Sequence, residues 1–360
     1  MNIVHTESSL GWGGQEIRIL SEAEGLIARG HRVGLLCPPD ARVHEEARRR
    51  GVPVTALPIG RKNLRGFLAV RGWLRENPCD VVNSHSSTDS WLSALALKSL
   101  GRPCPLVRTR HISAAVPTGA ATRWLYRDAT ARIVTTGESI KAALVERNGL
   151  DAARVDSVPT GIDETRFRPG DRDAARLELG LPLDRTLVGI VATLRSWKGH
   201  RYLVDAVAGL PDTFGLVIVG DGPQRAALEA QLASLAGRVW MPGNQQDVRP
   251  WLHALDVFAL PSYANEGVPQ ALVQAMMSGL ACVTTDAGSI GELALHERTA
   301  LVVARQDATA LRDAIARLAA DPDLRVRLGT AAREFCVARY SYGAMLDRME
   351  AIYRDACDRP

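Results

Sequence analysis

Short apolar runs rich in β-branched residues alternate with segments of helical periodicity along the whole chain. Such alternation is typical of parallel strands joined by helices, which leave both faces of a sheet buried. The pattern predicts strands at residues 2–6, 33–37, 54–59, 81–84, 107–110, 133–136, 188–192, 216–219, 257–260 and 282–285, and helices that include 16–28, 90–100, 228–236 and 342–357. Because one open sheet rarely holds so many strands, we expect an α/β protein with two doubly wound domains.

A cluster of Pro, Gly and other turn formers at residues 159–170 marks the predicted boundary. We therefore expect a first domain over residues 1–165 and a second over residues 166–340. The tail has apolar residues at helical spacing, which predicts an amphipathic helix. Its apolar positions are Met345, Leu346, Met349, Ile352 and Tyr353.

The composition is that of an ordinary globular protein, with 46% apolar and 23% charged residues among 360. No apolar run reaches the roughly 18 residues that a membrane span requires. The sequence starts directly on a strand-like segment, so we expect a cytoplasmic protein. The six cysteines are scattered without the spacing of a disulfide framework or a zinc site.

The net charge of +4 is unevenly distributed. Residues 1–160 carry 22 Lys+Arg against 15 Asp+Glu, which is +7, and the remainder carries 22 against 25, which is −3. A basic first half suggests an anionic surface or acceptor as its partner, although solvated faces would give the same imbalance.

The most informative segment follows the strand at 257–260. Glu266 and Gly267 stand on a turn, and a helix is predicted to open with Val268 and Pro269. The N–H groups of a helix start attract anions, so we expect an anionic ligand here with Glu266 reaching toward its hydroxyl groups.

Two cations follow the strand that ends near Thr193. Arg195 and Lys198 lie at its carboxyl end, where open α/β sheets bind ligands. A guanidinium and an ammonium together can neutralise a diphosphate without a metal ion. The alternative interpretation is a pair of solvated charges at a helix start.

Residues 266–279 resemble the Glu-Gly-x-Pro…Glu-Ala-Met-x-x-Gly signature of the retaining glycosyltransferases of family 4, and Leu194–Gly199 resembles their Leu-x-x-x-Lys-Gly motif. Gln274 replaces the second glutamate of the signature. The resemblance implies the GT-B fold, in which two Rossmann-like domains face a cleft and the C-terminal helix (residues 341–360) crosses back to the first domain.

The resemblance also implies a role for each matching residue. Catalytic roles fall to His111, Arg195, Lys198 and Glu266; donor binding falls to Gly13, Gly14, Gly267, Val268, Gln274 and Gly243; the acceptor side falls to Gln15 and His85. The first glutamate would lie by the donor sugar and Gln274 by the ribose. His111 would lie near the reacting carbon of the sugar.

The implied activity is transfer of a sugar from a nucleotide diphosphosugar to a glycan or lipid-linked acceptor, in bacterial surface polysaccharide or lipopolysaccharide assembly. No metal and no further cofactor is expected. Asp171/Asp173 and Asp321/Asp323 resemble a metal-binding pair but stand beside helix starts. The glycines of Gly220-Asp221-Gly222 fit a tight turn better than a dinucleotide site.

Several alternatives remain open at this point. A sugar-nucleotide epimerase of the same fold would consume donor without an acceptor, and Gln274 would also suit a glycan-binding protein that has lost catalysis. The basic amphipathic segment 61–75 suits either peripheral contact with the cytoplasmic face of a membrane or a helix covering a sheet. No module or aromatic-interleaved basic run supports nucleic-acid binding.

Overall fold

The structure is a computed structural model that describes residues 1–111, 114–235, 237–264 and 266–358. The chain forms two compact units, Met1–Gly161 with Gly343–Pro360, and Ile162–Tyr342. Residue 236, the end of the predicted helix 228–236, and Asn265 of the signature segment lie outside the described residues.

The first unit is a parallel sheet of seven strands covered by helices. The strands are β1 Asn2–Thr6, β2 Arg32–Cys37, β3 Val54–Ala56, β4 Val81–Ser84, β5 Leu106–Arg110, β6 Arg132–Thr135 and β7 Val155–Ser157, in the order β3-β2-β1-β4-β5-β6-β7. The helices before the boundary are α1 Gly14–Ala28, α2 Arg42–Arg49, α3 Leu64–Glu76, α4 Ser87–Ser99, α5 Ala120–Arg123 and α6 Glu138–Asn148.

The second unit is a parallel sheet of six strands, also doubly wound. Its strands are β8 Thr186–Val191, β9 Phe214–Val219, β10 Val239–Gly243, β11 Val257–Leu260, β12 Ala281–Thr284 and β13 Leu301–Val302, in the order β10-β9-β8-β11-β12-β13. Its helices are α7 Arg172–Leu179, α8 His200–Ala208, α9 Arg225–Leu232, α10 Arg249–His253, α11 Gln270–Met277, α12 Ala308–Ala320 and α13 Pro322–Tyr340, and the chain ends in α14 Tyr342–Asp358.

The predicted fold class, two doubly wound parallel α/β domains, is confirmed. The sequence pattern missed β7, β10 and β13, which are three strands at sheet edges. Edge strands lack the continuous apolar run of central ones: β10 contains Pro242 and is mostly half-buried, and β13 has two residues.

The central strands form the cores because both of their faces are covered. All four residues of β11 are fully buried, which accounts for the uninterrupted apolar run there. Burying each large apolar side chain contributes about 1.5–3 kcal/mol. Helix α14 buries its predicted apolar face, including Met349 and Tyr353, and its residues from Gly343 onward belong to the first unit.

Both sheets have one position where the strand order reverses direction. In the first unit it lies between β1 and β4, and in the second between β8 and β11. Ligands of open α/β sheets bind beyond the carboxyl ends of the strands at this switch point. The loops that follow these four strands are therefore the first places to search for a site.

Other predicted features have structural explanations. Asp171 and Asp321 cap the N-termini of α7 and α13, where their carboxylates accept backbone N–H groups. Helix α3 buries Gly66, Val70 and Leu74, whereas Leu68 is exposed. Among the described helices none combines the length and apolarity needed to traverse a bilayer.

Candidate functional site

A charged pair joins the two strands of the switch point in the second unit. Lys198, in the loop after β8, places Nζ 2.7 and 2.9 Å from the two carboxylate oxygens of Glu266, which follows β11. Ser262 Oγ donates to Glu266 Oε1 at 2.5 Å. Glu266 is 5% exposed and the Lys198 side chain 20%. The predicted cation and the predicted carboxylate are thus brought into direct contact.

The loops that carry this pair are locked together by a glycine. Gly199 has φ +76°, and a Cβ at that position would lie 2.0 Å from the carbonyl oxygen of Pro261. The Tyr263 N–H donates to the Trp197 carbonyl at 2.9 Å across the same junction. Only glycine permits this close approach, so the Lys-Gly spacing is a packing requirement as well as a chemical one.

The loop after β12 fixes Glu266 from the other side. Gly288 has φ +58°, and a Cβ there would meet the Glu266 carbonyl oxygen at 2.0 Å. The Ser289 N–H donates to the same oxygen at 3.2 Å, and Thr285 Oγ1 donates to the Ser262 carbonyl. The carboxylate therefore stands on a backbone held from two directions.

The helix after the signature turn begins later than predicted. Helix α11 starts at Gln270, and Pro269 is its N-cap with ψ 119°, so the expectation that Val268 and Pro269 open the helix is wrong. An extended ψ at Pro269 leaves Gly267 and Val268 on the turn itself. Val268 is buried.

Gln274 lies on α11, partly exposed, with its neighbours Val273 and Ala275 buried. Its carbonyl accepts from Ser278 N–H and Oγ, whereas its side-chain amide makes no hydrogen bond to the described residues. The amide is thus available to an external hydroxyl group.

Arg195 is exposed in the same loop as Lys198, and its guanidinium lies 5.6 Å from the Trp197 ring centroid. It forms no ion pair within the described part of the chain, so its charge is available to an anion. The neighbouring His200 is buried, and burial first, then the Lys198 charge, lowers its pKa to about 4. His200 therefore stays neutral beside the lysine.

The remaining predicted glycines of this unit are structural neighbours of the site. Gly243 ends β10 with φ +78°, and its carbonyl accepts the Gly220 N–H at 2.9 Å. Gly220 and Gly222 pack against the backbone of Ala192 and Leu194, where a Cβ would lie 2.0 and 2.8 Å away. These close backbone contacts explain why glycines stand at both positions, and the tight-turn interpretation of Gly220-Asp221-Gly222 stays a prediction.

The switch point of the first unit holds hydrogen-bonded carboxylates. Glu7, after β1, accepts from the Ser9 N–H at 2.7 Å and from Gln15 Nε2 and Ser86 Oγ. Gln15 Nε2 also donates to Ser86 Oγ at 3.0 Å. Gln15 is thus placed at the mouth of this sheet, beside the Gly13 N-cap of α1 and Gly14.

Asp89, which like Glu7 accepts a hydrogen bond from Ser86, is fully buried. It accepts from Thr6 Oγ1, Ser8 Oγ and the N–H groups of His85 and Ser86 at 2.8–3.1 Å. Burial raises the pKa of Asp89 to about 6. Burial, followed by the Asp89 charge, raises the pKa of Glu7 to about 7.

His85 and His111, predicted from different strands, are in direct contact. His85 Nδ1 lies 2.9 Å from His111 Nε2, and the two ring centroids are 5.2 Å apart. His85 is buried, and His111 is partly exposed at the end of β5.

The predicted site residues thus fall into two groups. Lys198, Glu266, Gly267, Val268 and Gln274, with Arg195 and Gly243, belong to the second unit, and His85, His111, Gly13, Gly14 and Gln15 to the first. Sequence reasoning missed Ser262, Gly288, Glu7 and Asp89.

The rarity of lysine is a further sequence signal that points to Lys198. Of 44 basic residues four are lysines, and Lys198 is the only lysine between residues 162 and 342.

The geometry of the second unit suits an anionic ligand that also carries hydroxyl groups. Lys198 has three donors, of which two face Glu266, and Arg195 adds an exposed guanidinium. Glu266 offers acceptors within a rigid frame, and Gln274 offers both a donor and an acceptor. Among the described residues no group of His, Cys, Asp and Glu could hold a metal ion.

Two family models match the chain in tandem. Residues 12–166 match Glycosyltransferase Family 4, and residues 185–321 match Glycosyl transferases group 1. The match to the second model includes Lys198, Glu266 and Gln274.

Curated relatives agree with these models. The D-inositol 3-phosphate glycosyltransferase of Xylanimonas cellulosilytica is 27% identical over 96% of this chain and 93% of the relative. The enzyme of the same name from Mycobacterium tuberculosis strain F11 is 30% identical over 77% of this chain, which spans 62% of that relative's length.

Solved structures share the fold. A glycosyltransferase from Rickettsia africae has a TM-score of 0.90 at 19% identity, covering 100% of this chain and 99% of the other. Anabaena HepE in complex with UDP-glucose has a TM-score of 0.85 at 20% identity, covering 99% and 100%.

Proposed function

Since the chain belongs to the group 1 glycosyltransferases of family 4, we propose that it is a retaining enzyme that moves a sugar from a nucleotide diphosphosugar to a glycan or lipid-linked acceptor. The observation that carries this proposal is the contact of Lys198 with Glu266 at the switch point of the second sheet. A cation held beside a carboxylate can serve a phosphate and a sugar hydroxyl at once.

The proposed reaction is a front-face substitution. The bond between the anomeric carbon and the diphosphate oxygen breaks, and the acceptor oxygen forms its bond to that carbon on the same face. The acceptor proton passes to the leaving diphosphate, so no protein base is required. Negative charge grows on the diphosphate as it leaves, and Arg195 and Lys198 would stabilise it most in the transition state.

We propose two roles for Glu266, one toward Lys198 and one toward the donor sugar. Its carboxylate holds the lysine ammonium in one place, so less reorganisation is needed when the charge on the diphosphate develops. Its other acceptor positions would bind hydroxyl groups of the donor sugar, and Gln274 would bind the ribose hydroxyls. By family resemblance His111 would act near the anomeric carbon, which stays a prediction.

We also propose the chemical classes of the donor and the acceptor. Anabaena HepE was solved with UDP-glucose, and the two curated relatives are named D-inositol 3-phosphate glycosyltransferases. The +7 charge of residues 1–160 supports an anionic or lipid-linked acceptor on the first unit. We place the enzyme in bacterial surface polysaccharide or lipopolysaccharide assembly, acting from the cytoplasmic face of the membrane.

The test is a panel of UDP-, GDP- and ADP-sugars offered with and without oligosaccharide acceptors. We expect one donor to be consumed only when acceptor is present, and NMR of the product to show the donor's anomeric configuration retained. Consumption without acceptor would indicate an epimerase instead, and an inverted product would refute the retaining mechanism.

A glycan-binding protein without catalysis is the second candidate, because Gln274 replaces the signature glutamate. This candidate predicts that Gln274→Glu is as inactive as the natural chain with every donor while glycan binding persists. Turnover by either protein would exclude it.

A further inference from the structure

Three histidines from adjacent strands form a continuous chain in the first unit. His5 is on β1, His85 follows β4 and His111 follows β5, which are neighbours in the sheet. His5 Nδ1 lies 2.9 Å from His85 Nε2, and His85 Nδ1 lies 2.9 Å from His111 Nε2. The ring centroids of the two pairs are 5.1 and 5.2 Å apart. The chain leads from the buried core to a partly exposed ring.

Burial favours the neutral form of all three imidazoles in this chain. Burial lowers the pKa of His5, and it lowers the pKa of His85 and His111 well below the ordinary value. A neutral imidazole has one N–H donor and one bare acceptor nitrogen. Because both contacts join ring nitrogens, all three rings must point their N–H groups in the same direction along the chain.

The buried end of the chain decides that direction. Asn83 is the partner of His5 in the strand register, and its side chain donates to the Tyr353 hydroxyl group, which in turn donates to Glu22. The Glu22 carboxylate is therefore held at the His5 end of the chain, and its charge raises the pKa of His5, whereas Arg18 lowers the pKa of all three histidines. His5 Nε2 and Glu22 Oε2 are both buried without a hydrogen-bond partner in the described part of the chain. An N–H facing a carboxylate is favourable there, and a second bare acceptor is not.

Glu22 is held in place by residues of the core. Tyr353 OH of α14 donates to Glu22 Oε1 at 2.6 Å, and Asn83 Nδ2 donates to the same hydroxyl at 2.7 Å. Arg18 Nε lies 3.6 Å from Glu22 Oε2, and its Nη1 donates to the Val158 carbonyl. All of these side chains are fully buried except that of Val158, which is 1% exposed. The charge that orders the histidines is thus rigidly fixed.

We propose that His5 and His85 are positioning residues that hold His111 with Nε2 protonated and with the Nδ1 lone pair available to accept a hydrogen bond from a sugar hydroxyl group. The hydroxyl as ligand rests on the proposed function, whereas the tautomer does not. A locked acceptor discriminates between a hydroxyl group and an anion such as a phosphate oxygen, which an imidazole lone pair repels. This assigns specificity to a residue, His5, that cannot touch the substrate itself.

The direct test is a two-bond ¹H–¹⁵N correlation spectrum of protein labelled with ¹⁵N-histidine, recorded without donor or acceptor. We expect His111 to show a protonated Nε2 and a bare Nδ1. The opposite pattern, or exchange between both tautomers, would overturn the proposal. Because no substrate is present, this readout stands even if the proposed transferase activity fails.

Variants at His85 separate positioning from simple packing. His85→Asn keeps an acceptor oxygen near the Nδ1 position and should preserve the His111 tautomer. His85→Leu removes the acceptor, so His111 should no longer be held in the tautomer with Nε2 protonated. Turnover should fall by about 10–100-fold in His85→Leu and less in His85→Asn, with the Kd for nucleoside diphosphate unchanged in both. An unaltered His111 spectrum in a folded His85→Leu would contradict the proposal.

His44→Gln, on α2 and outside this chain, is the matched control and should change neither the spectrum nor turnover. Should His85→Leu fail to fold, the spectra of the natural protein and of His85→Asn still decide the outcome, since loss of the His111 tautomer in a folded His85→Asn would count against the proposal.

Discussion

The switch points of the two sheets occupy the same place in their strand orders but carry opposite chemistry. In the second unit Lys198 meets Glu266, with the exposed Arg195 nearby. In the first unit the corresponding loops hold Glu7 and Asp89, whose pKa values rise to about 7 and 6 because they are buried. The same topology therefore carries one position that we propose binds an anion, and another where buried carboxylates accept hydrogen bonds from hydroxyl, amide and backbone N–H groups.

The difference follows from what each loop can hold in place. Gly199 and Gly288 let three loops of the second unit meet backbone to backbone, which fixes a charged pair. In the first unit hydroxyl and amide groups of Ser86 and Gln15 surround Glu7 instead. The shared topology thus determines where a ligand can bind, and the side chains determine which ligand is bound.

Lys198→Ala should have the largest effect. Removing the ammonium takes a donor from the developing charge and leaves Glu266 buried without its cation, so turnover should fall by about 10²–10³-fold or more. The turnover of Arg195→Ala should fall by a similar factor. Steady-state kinetics with saturating acceptor would measure both. Lys141→Ala, a lysine of the first unit, is the control, and near-natural turnover of Lys198→Ala would remove the assigned role.

Gly199→Ala should disrupt the proposed anion site by displacing the backbone around it. Its new Cβ would overlap the Pro261 carbonyl oxygen, so the β8 and β11 loops must separate at a cost of about 1–3 kcal/mol. We expect weaker nucleoside diphosphate binding by calorimetry. Gly180→Ala is matched, since Gly180 also has positive φ, +66°, but has no atom within 4 Å of a Cβ. Equal loss of binding in both variants would show that positive φ alone matters.

Gln274→Glu should have a smaller effect and should strengthen donor binding. A carboxylate makes charge-assisted hydrogen bonds to ribose hydroxyls, so the donor Kd should tighten by about fivefold to tenfold. Titration of nucleoside diphosphate into both proteins measures it. Unchanged or weaker binding would indicate that this side chain does not reach the ribose.

Glu7→Gln should have the smallest effect, which appears only as a pH dependence. Because the folded pKa of Glu7, about 7, exceeds its ordinary value of 4.5, the folded state binds more protons than the unfolded state between these values. Its contribution to the free energy of unfolding is therefore present below about pH 4.5 and lost as the pH rises through 7. Denaturant unfolding of the natural protein, relative to Glu7→Gln, should show this loss. A pH-independent difference would contradict the raised pKa.

The sequence predicted the parts of the fold that depend on continuous apolar runs. The central strand β11 was located at its full length because all four of its residues are buried. Edge strands such as β10 and β13 were missed because half-exposed or two-residue strands leave no such pattern. The start of α11 was misplaced because Pro269 is compatible with both an N-cap and a first helical turn.

The candidate site was partly predictable for a related reason. Lys198 and Glu266 stand in motifs after central strands, so their approach followed from the parallel topology. Gly288 could not be assigned, since its role depends on a contact with the Glu266 carbonyl from another loop. The histidine chain was equally hidden, because His5 lies inside an ordinary strand pattern and its ring partner is 80 residues away.

The most direct measurement uses the single lysine of residues 162–342. In protein labelled with ¹³C,¹⁵N-lysine, assigned by comparison with Lys198→Arg, the Lys198 side-chain signal should move on addition of UDP, GDP or ADP and stay in place with the corresponding nucleosides. A diphosphate that binds by calorimetry while this signal is unchanged, or the failure of all three to bind, would contradict an anion site at the β8–β11 switch point.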